Sequence, residues 1–359
     1  METKTLVVDV DDTISTHVNR DYENAVPHRE IIDKLNNLRK NGWKIIYHTA
    51  RGQVSCNGDI ERIKKERLPV LIDWMDKNDV QYDDVLVGKP LGFYYIDDKS
   101  IRPEEFVEME YEVLKGGSNS LIERLGNRVI KKAKNAKNQF DWYKKAYNEI
   151  PIPKIYTYYG DTIDMEYLDG QSMNDVLDNK KLNTIFSYVK YGFRSMQGTS
   201  HDWNTMIERI NAPVFDDIVK DPKVVSFMEN NKSFCHGDLT LENMIFKSGI
   251  IYFIDPNMPE ELYSSWILDI GKLYQSLHYS YEEHLNGQKL TINKTELYST
   301  LKNMLTDEEH YMALVCELIH YLRMIKYRIN STNYQDVSKI FEIIEKLKME
   351  IYDLRQKIS

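Results

Sequence analysis

Four times within the first hundred residues, a short apolar run stops directly on a polar group. Leu6–Val10 runs into Asp9-Val10-Asp11-Asp12-Thr13, and Trp43–Tyr47 into His48-Thr49-Ala50-Arg51. Asp84–Val87 leads to Gly88-Lys89-Pro90, and Phe93–Ile96 to Asp97-Asp98. Between the first two runs, Ile31, Ile32, Leu35 and Leu38 in Arg29–Asn41 recur at helical spacing, and a further helix is predicted from Asp59 to Asn78. Strands alternating with helices build a mostly parallel sheet, which gathers its ligands at the carboxyl ends of the strands. Polar motifs confined to those ends describe a chemical site.

The 359 residues exceed what one core of about 150 residues accounts for, so two domains are expected. The chain turns polar and acidic over 101–109, which places the boundary near residue 108: an α/β domain over 1–108 and a second domain over 109–359. With 42% hydrophobic and 29% charged residues, the composition excludes disorder, collagen and disulfide scaffolds. A net charge of −9 argues against a broad nucleic-acid surface but not against small phosphorylated substrates. No apolar window is long enough for a membrane span. Cys56, Cys235 and Cys316 are odd in number, far apart and without metal-ligand spacing, which fits a reducing, cytoplasmic setting.

Asp9 and Asp11, two residues apart at a strand end, can both face one cleft, one attacking and the other moving protons. Several carboxylates with no His or Cys among them favour a hard, oxygen-seeking cation. A nearby lysine suits a phosphoryl group that is losing its leaving group. These motifs resemble the four motifs of the haloacid dehalogenase superfamily, over about the first hundred residues. The resemblance implies a Rossmann-like domain with a minimal cap and an aspartyl-phosphate intermediate on Asp9. It makes Asp11 the proton donor and then the activator of water, and Thr49 and Lys89 the phosphoryl-binding pair. Mg²⁺ would be held by Asp9, the Asp11 carbonyl and one or both of Asp97 and Asp98. The insert Ser15–His28, with Arg20, is the expected substrate flap, and Arg51 lies close enough to Thr49 to reach a substrate anion. Asp-Asp-Thr-Ile, Thr-Ala-Arg-Gly and Ile-Asp-Asp-Lys look like the capsule-biosynthesis phosphatase branch.

The second half reads differently. Residues 110–170 are strand-rich, with a polar turn over 116–120, a hairpin turn at Gly126-Asn127 and a helix over Gln139–Asn148. Helices dominate from Met173 onward, except across Phe234–Asp255. That interruption carries His236-Gly237-Asp238, then Asn243, then Ile254-Asp255. A carboxylate on a tight loop can take an acceptor hydroxyl's proton, while an amide oxygen and a later carboxylate hold a metal on nucleotide phosphates. This pattern resembles the aminoglycoside phosphotransferase and choline kinase group, over roughly 110–359. The resemblance implies a two-lobed, protein-kinase-like α+β domain, with an N-lobe over 109–168 and a C-lobe over 169–359. In it Asp238 is the base, Asn243 and Asp255 are Mg²⁺ ligands, and His236 and Asp269 brace the loop. Ser118 and Asn119 would cover the phosphates of ATP or GTP, and Glu166 and Tyr167 would lie in the hinge against the purine. The strand lysine is Lys131, with strand register deciding between it and Lys132. The family's helix glutamate has no clear counterpart, because Asn138–Asn148 holds only the acid Asp141 and Glu149 follows its end.

The expected protein is a bifunctional Mg²⁺-dependent phosphatase and small-molecule kinase acting on sugar or polyol phosphates in capsule or surface-polysaccharide precursor synthesis. The two activities must then address different positions, since opposite reactions on one hydroxyl form a futile cycle. Two alternatives stand beside it: a kinase-like module that only binds nucleotide or substrate, and a choline or amino-alcohol kinase with an aromatic cage drawn from Tyr263, Trp266, Tyr274, Tyr279 and Tyr281. The amphipathic last segment, Val337 to Leu354, is expected to pack on its own domain, with a homo-oligomer as the other reading.

Overall fold

A computed structural model describes the chain except residues 1–3, 18–20, 93, 96, 98, 115, 117–119, 259–261, 286, 288–289, 329–333 and 359, and the side chains of 284–285, 326–328 and 334–336. The chain is mixed α/β and divides into two compact units, Met1–Glu112 and Val113–Ser359.

In the first unit, strand Lys44–Thr49 is central, with Thr5–Val8 and Asp84–Val87 parallel to it on either side. The apolar stripe of helix Arg29–Lys40 is buried through Ile31, Ile32, Leu35 and Leu38. The helical stretch predicted over Asp59–Asn78 is two helices, Ile60–Glu66 and Leu68–Lys77. The break falls at Arg67 because Pro69, which has no N–H to donate, belongs in the first turn of a new helix. A two-stranded hairpin, Ser15–Thr16 with Val26–Pro27, forms within the expected flap. The strand predicted over Phe93–Ile96 does not form at its described residues. Tyr94 is 87% exposed and Tyr95 half exposed, so neither has the burial that an apolar run needs to hold it in a sheet.

The second unit opens on a five-stranded sheet in the order Tyr111–Leu114, Ser120–Leu125, Arg128–Ala133, Thr162–Glu166, Ile155–Tyr159. Helix Ala136–Ala146 turns Trp142, Tyr143 and Ala146 into the core. The rest is mainly helical, around a small antiparallel sheet of Gln171–Ser172, Met244–Lys247 and Ile250–Phe253. Helix Trp266–Leu277 is buried along its whole length. It lies close to helix Asp307–Arg328, and a Cβ on Gly271 would stand 2.6 Å from Cys316 Cβ. The last helix, Tyr334–Ile358, buries Ile340, Ile344, Leu347 and Ile351 in the core of the same unit, while Phe341 is half exposed. All three cysteines are free and buried. Among the described residues no helix is long and apolar enough to cross a membrane.

Candidate functional site

The loop 234–243 is built outward from a buried acid. Asp269, fully buried on helix Trp266–Leu277, accepts the backbone N–H groups of His236 at 2.6 Å and Gly237 at 2.8 Å. Burial lifts its carboxyl to about 7, against the pull of those two donors. Gly237 sits at φ +80°, and a Cβ there would lie 2.5 Å from the Asn257 carbonyl oxygen, so the turn accepts only glycine. The His236 ring packs edge-on to Trp142 and pairs through Nε2 with the Ile254 carbonyl at 2.9 Å. Burial pushes its pKa down to about 4, which makes it a neutral brace. From the opposite side, Trp142 Nε1 donates to the Cys235 carbonyl at 2.8 Å.

Asp238 emerges from this brace with its side chain about a third exposed (34%). Lys272 Nζ lies 2.9 Å from its Oδ1, and Asn243 Nδ2 lies 3.3 Å from its Oδ2 and 2.8 Å from its carbonyl oxygen. Burial alone raises the Asp238 carboxyl, but the Lys272 ammonium outweighs it and holds the group below the usual carboxylate range. Lys272 was not singled out in the sequence. Its only signal there is a lone cation inside the apolar run Ile267–Leu277.

Asp255, at the end of strand Ile250–Phe253, has a left-handed backbone with φ +55°. Its N–H donates to Tyr143 Oη at 3.1 Å. Lys131 contacts its Oδ1, and Gln139 Nε2 donates to the same oxygen at 2.6 Å. The two candidate lysines differ in direction: Lys131 points inward and is 5% exposed, whereas Lys132 points outward toward Asp161 at 3.5 Å. Gln139, buried on helix Ala136–Ala146, is thus the helix residue that joins the Lys131–Asp255 pair, a place the sequence reading reserved for an acid. Asp141, the acid in that helix, pairs instead with Lys137 at 2.6 Å.

The donor set suits a hard cation. Lys131 and Gln139 take Asp255 Oδ1, and Asn243 uses its amide nitrogen on Asp238, so Asp255 Oδ2 and Asn243 Oδ1 are the oxygens left to offer. Their neighbourhood is fixed, since the Ile254 N–H donates to the Asn243 carbonyl at 3.0 Å. The expected hinge residues make contacts within their own sheet and beyond it. The Glu166 N–H donates to the Lys154 carbonyl and the Tyr167 N–H to the Asn127 carbonyl, both at 2.8 Å, and the Glu166 carboxylate lies 3.3 Å from Lys247. Tyr263, Trp266 and Tyr274 are fully buried in the core. The cage sketched for a quaternary amine therefore loses three of its five members to packing. Ser118 and Asn119 lie outside the described residues.

In the first unit, Asp9 stands just past strand Thr5–Val8, with Lys89 Nζ 3.1 Å from its Oδ2. The Lys89 ammonium also lies 4.3 Å from the Tyr95 ring centroid, and the Lys89 backbone N–H donates to the Thr49 carbonyl at 3.1 Å. Thr49 is fully buried, and its Oγ1 accepts the Arg51 N–H at 3.0 Å. Arg51, expected to face a substrate anion, is buried and pairs with Asp11 through Nε at 2.9 and 3.1 Å and Nη2 at 2.8 Å. The Tyr22 ring centroid lies 4.5 Å from its guanidinium carbon. The Asp97 carboxylate caps an exposed turn, accepting the Lys99 N–H at 2.8 Å. Asp98 and Arg20 fall outside the described residues. Among the described residues no three acidic, His or Cys side chains are grouped to hold a metal; the expected set of Asp9, the Asp11 carbonyl and one or both of Asp97 and Asp98 includes a residue outside the described ones.

No protein-family model matches the chain, and no curated protein matches it. Among solved structures, a structural-genomics target from Vibrio cholerae is 38% identical, over 30% of this chain and 89% of that one, with a TM-score of 0.29. A choline/ethanolamine kinase family protein from Mesorhizobium loti is 16% identical, over 69% of this chain and 92% of that one, with a TM-score of 0.47. An ethanolamine kinase from Plasmodium vivax is also 16% identical, over 83% of this chain and 94% of that one, with a TM-score of 0.45.

Proposed function

We propose that the second unit transfers a phosphoryl group from a nucleoside triphosphate to the hydroxyl of a small molecule. The observation that carries this reading is the meeting of the loop 234–243 with the segment after strand Ile250–Phe253, which brings three polar groups with separate roles: Asp238 held ionised beside Lys272, Asn243 bonded to it, and Asp255 joined to Lys131. Asp238 takes the acceptor hydroxyl's proton, and Asn243 orients that carboxylate. Lys131 reaches the nucleotide phosphates, and Asn243 Oδ1 and Asp255 Oδ2 are the groups that would hold Mg²⁺. The bound cation supplies charge neutralisation on the phosphates. Gln139 is a neutral partner at the Lys131–Asp255 pair, so the helix adds no second negative charge to that oxygen.

The first unit supports a second activity, hydrolysis of a phosphomonoester through Asp9. Lys89 at 3.1 Å from Asp9, with its backbone N–H on the Thr49 carbonyl, brings the ends of all three parallel strands to one place. Arg51 holds the Asp11 carboxylate in place there through its Nε and Nη2. The two activities act on different positions, in keeping with a pathway that adds one phosphate and removes another from sugar or polyol phosphates.

The test is a panel of neutral sugars, polyols, sugar phosphates, choline and ethanolamine, incubated with MgATP or MgGTP and read by phosphorus NMR. New phosphomonoester signals that vanish in Asp238→Asn support the kinase. A panel with no new phosphomonoester and no nucleotide turnover would reduce the second unit to a binding module.

A further inference from the structure

A lysine is rarely buried without a partner, because its ammonium gives up strong hydration. Lys272 is buried on helix Trp266–Leu277, three residues after Asp269. Three features hold its Nζ: Asp238 Oδ1 at 2.9 Å, Gln275 Oε1 at 3.0 Å and the Tyr281 ring centroid at 5.5 Å. Asn243 Nδ2 approaches the other Asp238 oxygen at 3.3 Å. The carboxylate therefore has a different donor on each oxygen and cannot rotate without losing one. A carboxylate offers roughly four lone-pair positions, so two donors leave room for a hydroxyl. The loop itself supplies no cation, since Leu239, Thr240, Leu241 and Glu242 fill the interval between Asp238 and Asn243.

We propose that Lys272 is a positioning residue for phosphotransfer: it fixes one oxygen of Asp238 from a separate helix, so that the remaining lone pairs face the acceptor hydroxyl. This rests on the reading of Asp238 as the base. In the transfer, the acceptor oxygen forms a bond to the γ-phosphorus while the bond from that phosphorus to its bridging oxygen breaks. The electron pair of the broken bond leaves with the nucleoside diphosphate, and the hydroxyl proton ends on Asp238. Lys272 and Asp269 share one helix face, one gripping the carboxylate and the other the backbone of the same loop, so the helix sets both the position and the rotamer of the base.

The test is a double-mutant cycle on the full chain, with MgATP as the nucleotide, water as the acceptor and phosphate release as the readout. Lys272→Met is expected to lower kcat by about tenfold to hundredfold, with the KM for ATP within about twofold of the parent. Lys272→Arg restores most of the rate. In the Asp238→Asn background, Lys272→Met costs nothing further, because a residue acting through Asp238 has nothing left to act on. Losses that multiply across the cycle, or a raised KM with unchanged kcat, overturn the inference. Should Lys272→Met fail to fold, Lys272→Gln repeats the cycle with a neutral donor at the same place. An Asp238→Asn variant with full turnover removes the base reading itself, which separates that failure from the failure of Lys272.

Discussion

The two units neutralise their key carboxylates by opposite routes. In the first, Asp9 and Asp11 are met by Lys89 and Arg51, each only a residue or two beyond a strand of the same parallel sheet. In the second, Asp238 and Asp255 are met by Lys272, Lys131 and Gln139, which arrive from a helix downstream, a strand upstream and a helix between them. A parallel sheet brings its strand ends together by construction, so its partners are found near the motif in sequence. A loop enclosed by helices recruits partners from wherever the packing brings them. The first site depends on sheet register, and the second on the packing of the whole unit.

This contrast can be broken most decisively by kinetics. Asp238→Asn is expected to lower nucleotide-dependent transfer by about a hundredfold to ten-thousandfold, measured as product formation. Asp9→Asn should remove hydrolysis of p-nitrophenyl phosphate while transfer continues. Loss of both activities in either variant would mean one shared site in place of two.

A stability measurement comes next. Arg51→Met leaves Asp11 without its buried partner and should lower the stability of the first unit by about 2–4 kcal/mol, read by urea denaturation. An unchanged midpoint would show that the pair is already solvated.

The second unit should also respond to acid. Burial lowers His236 and His310 to about 4, and His320 well below its ordinary value. The unfolded chain protonates these rings near pH 6.5 while the folded one does not, so the rings together make stability fall as pH drops from about 6.5 toward 4. Asp269 opposes them, because its carboxyl is lifted to about 7 in the folded chain. The slope is about 1.4 kcal/mol per pH unit for each such ring. His278, raised through Glu317 despite its burial, acts in the opposite direction and loses its contribution as pH rises above about 6.5. Calorimetry between pH 4 and 7 checks the sign (ordinary His range), and His310→Gln should flatten the curve. The smallest effect is at the outward lysine: Lys132→Ala should cost less than about 0.5 kcal/mol, against a clear loss for the buried Lys131.

Much of the geometry of both candidate sites was legible because short-range rules place their residues. Apolar runs ending on Asp9, Thr49 and Lys89 identified strand ends, and the spacing from Asp238 to Asn243 to Asp255 identified the loop. Pro69, the breaker that splits a helix, is a local signal of the same kind. Lys272 and Gln139 were not legible as partners, because nothing local distinguishes a lysine or glutamine that turns inward to a carboxylate from one that turns to water. The strand expected at Phe93–Ile96 does not form at its described residues for a related reason. Aromatic content signals a half-buried surface only where a neighbouring strand covers it, and Tyr94 and Tyr95 are not covered.

The free thiols allow each unit to be observed separately. Cys56 belongs to the first unit and Cys235 and Cys316 to the second, all almost fully buried. Burial raises the last two well above the usual thiol range, so the reactive thiolate is scarce even where reagent could enter. Alkylation must then wait for local opening. Its rate at Cys56 times the opening of the turn that follows strand Lys44–Thr49. Its rate at Cys235, next to His236, times the breathing of the loop that carries Asp238, so one native chain reports the opening of both units without an added label.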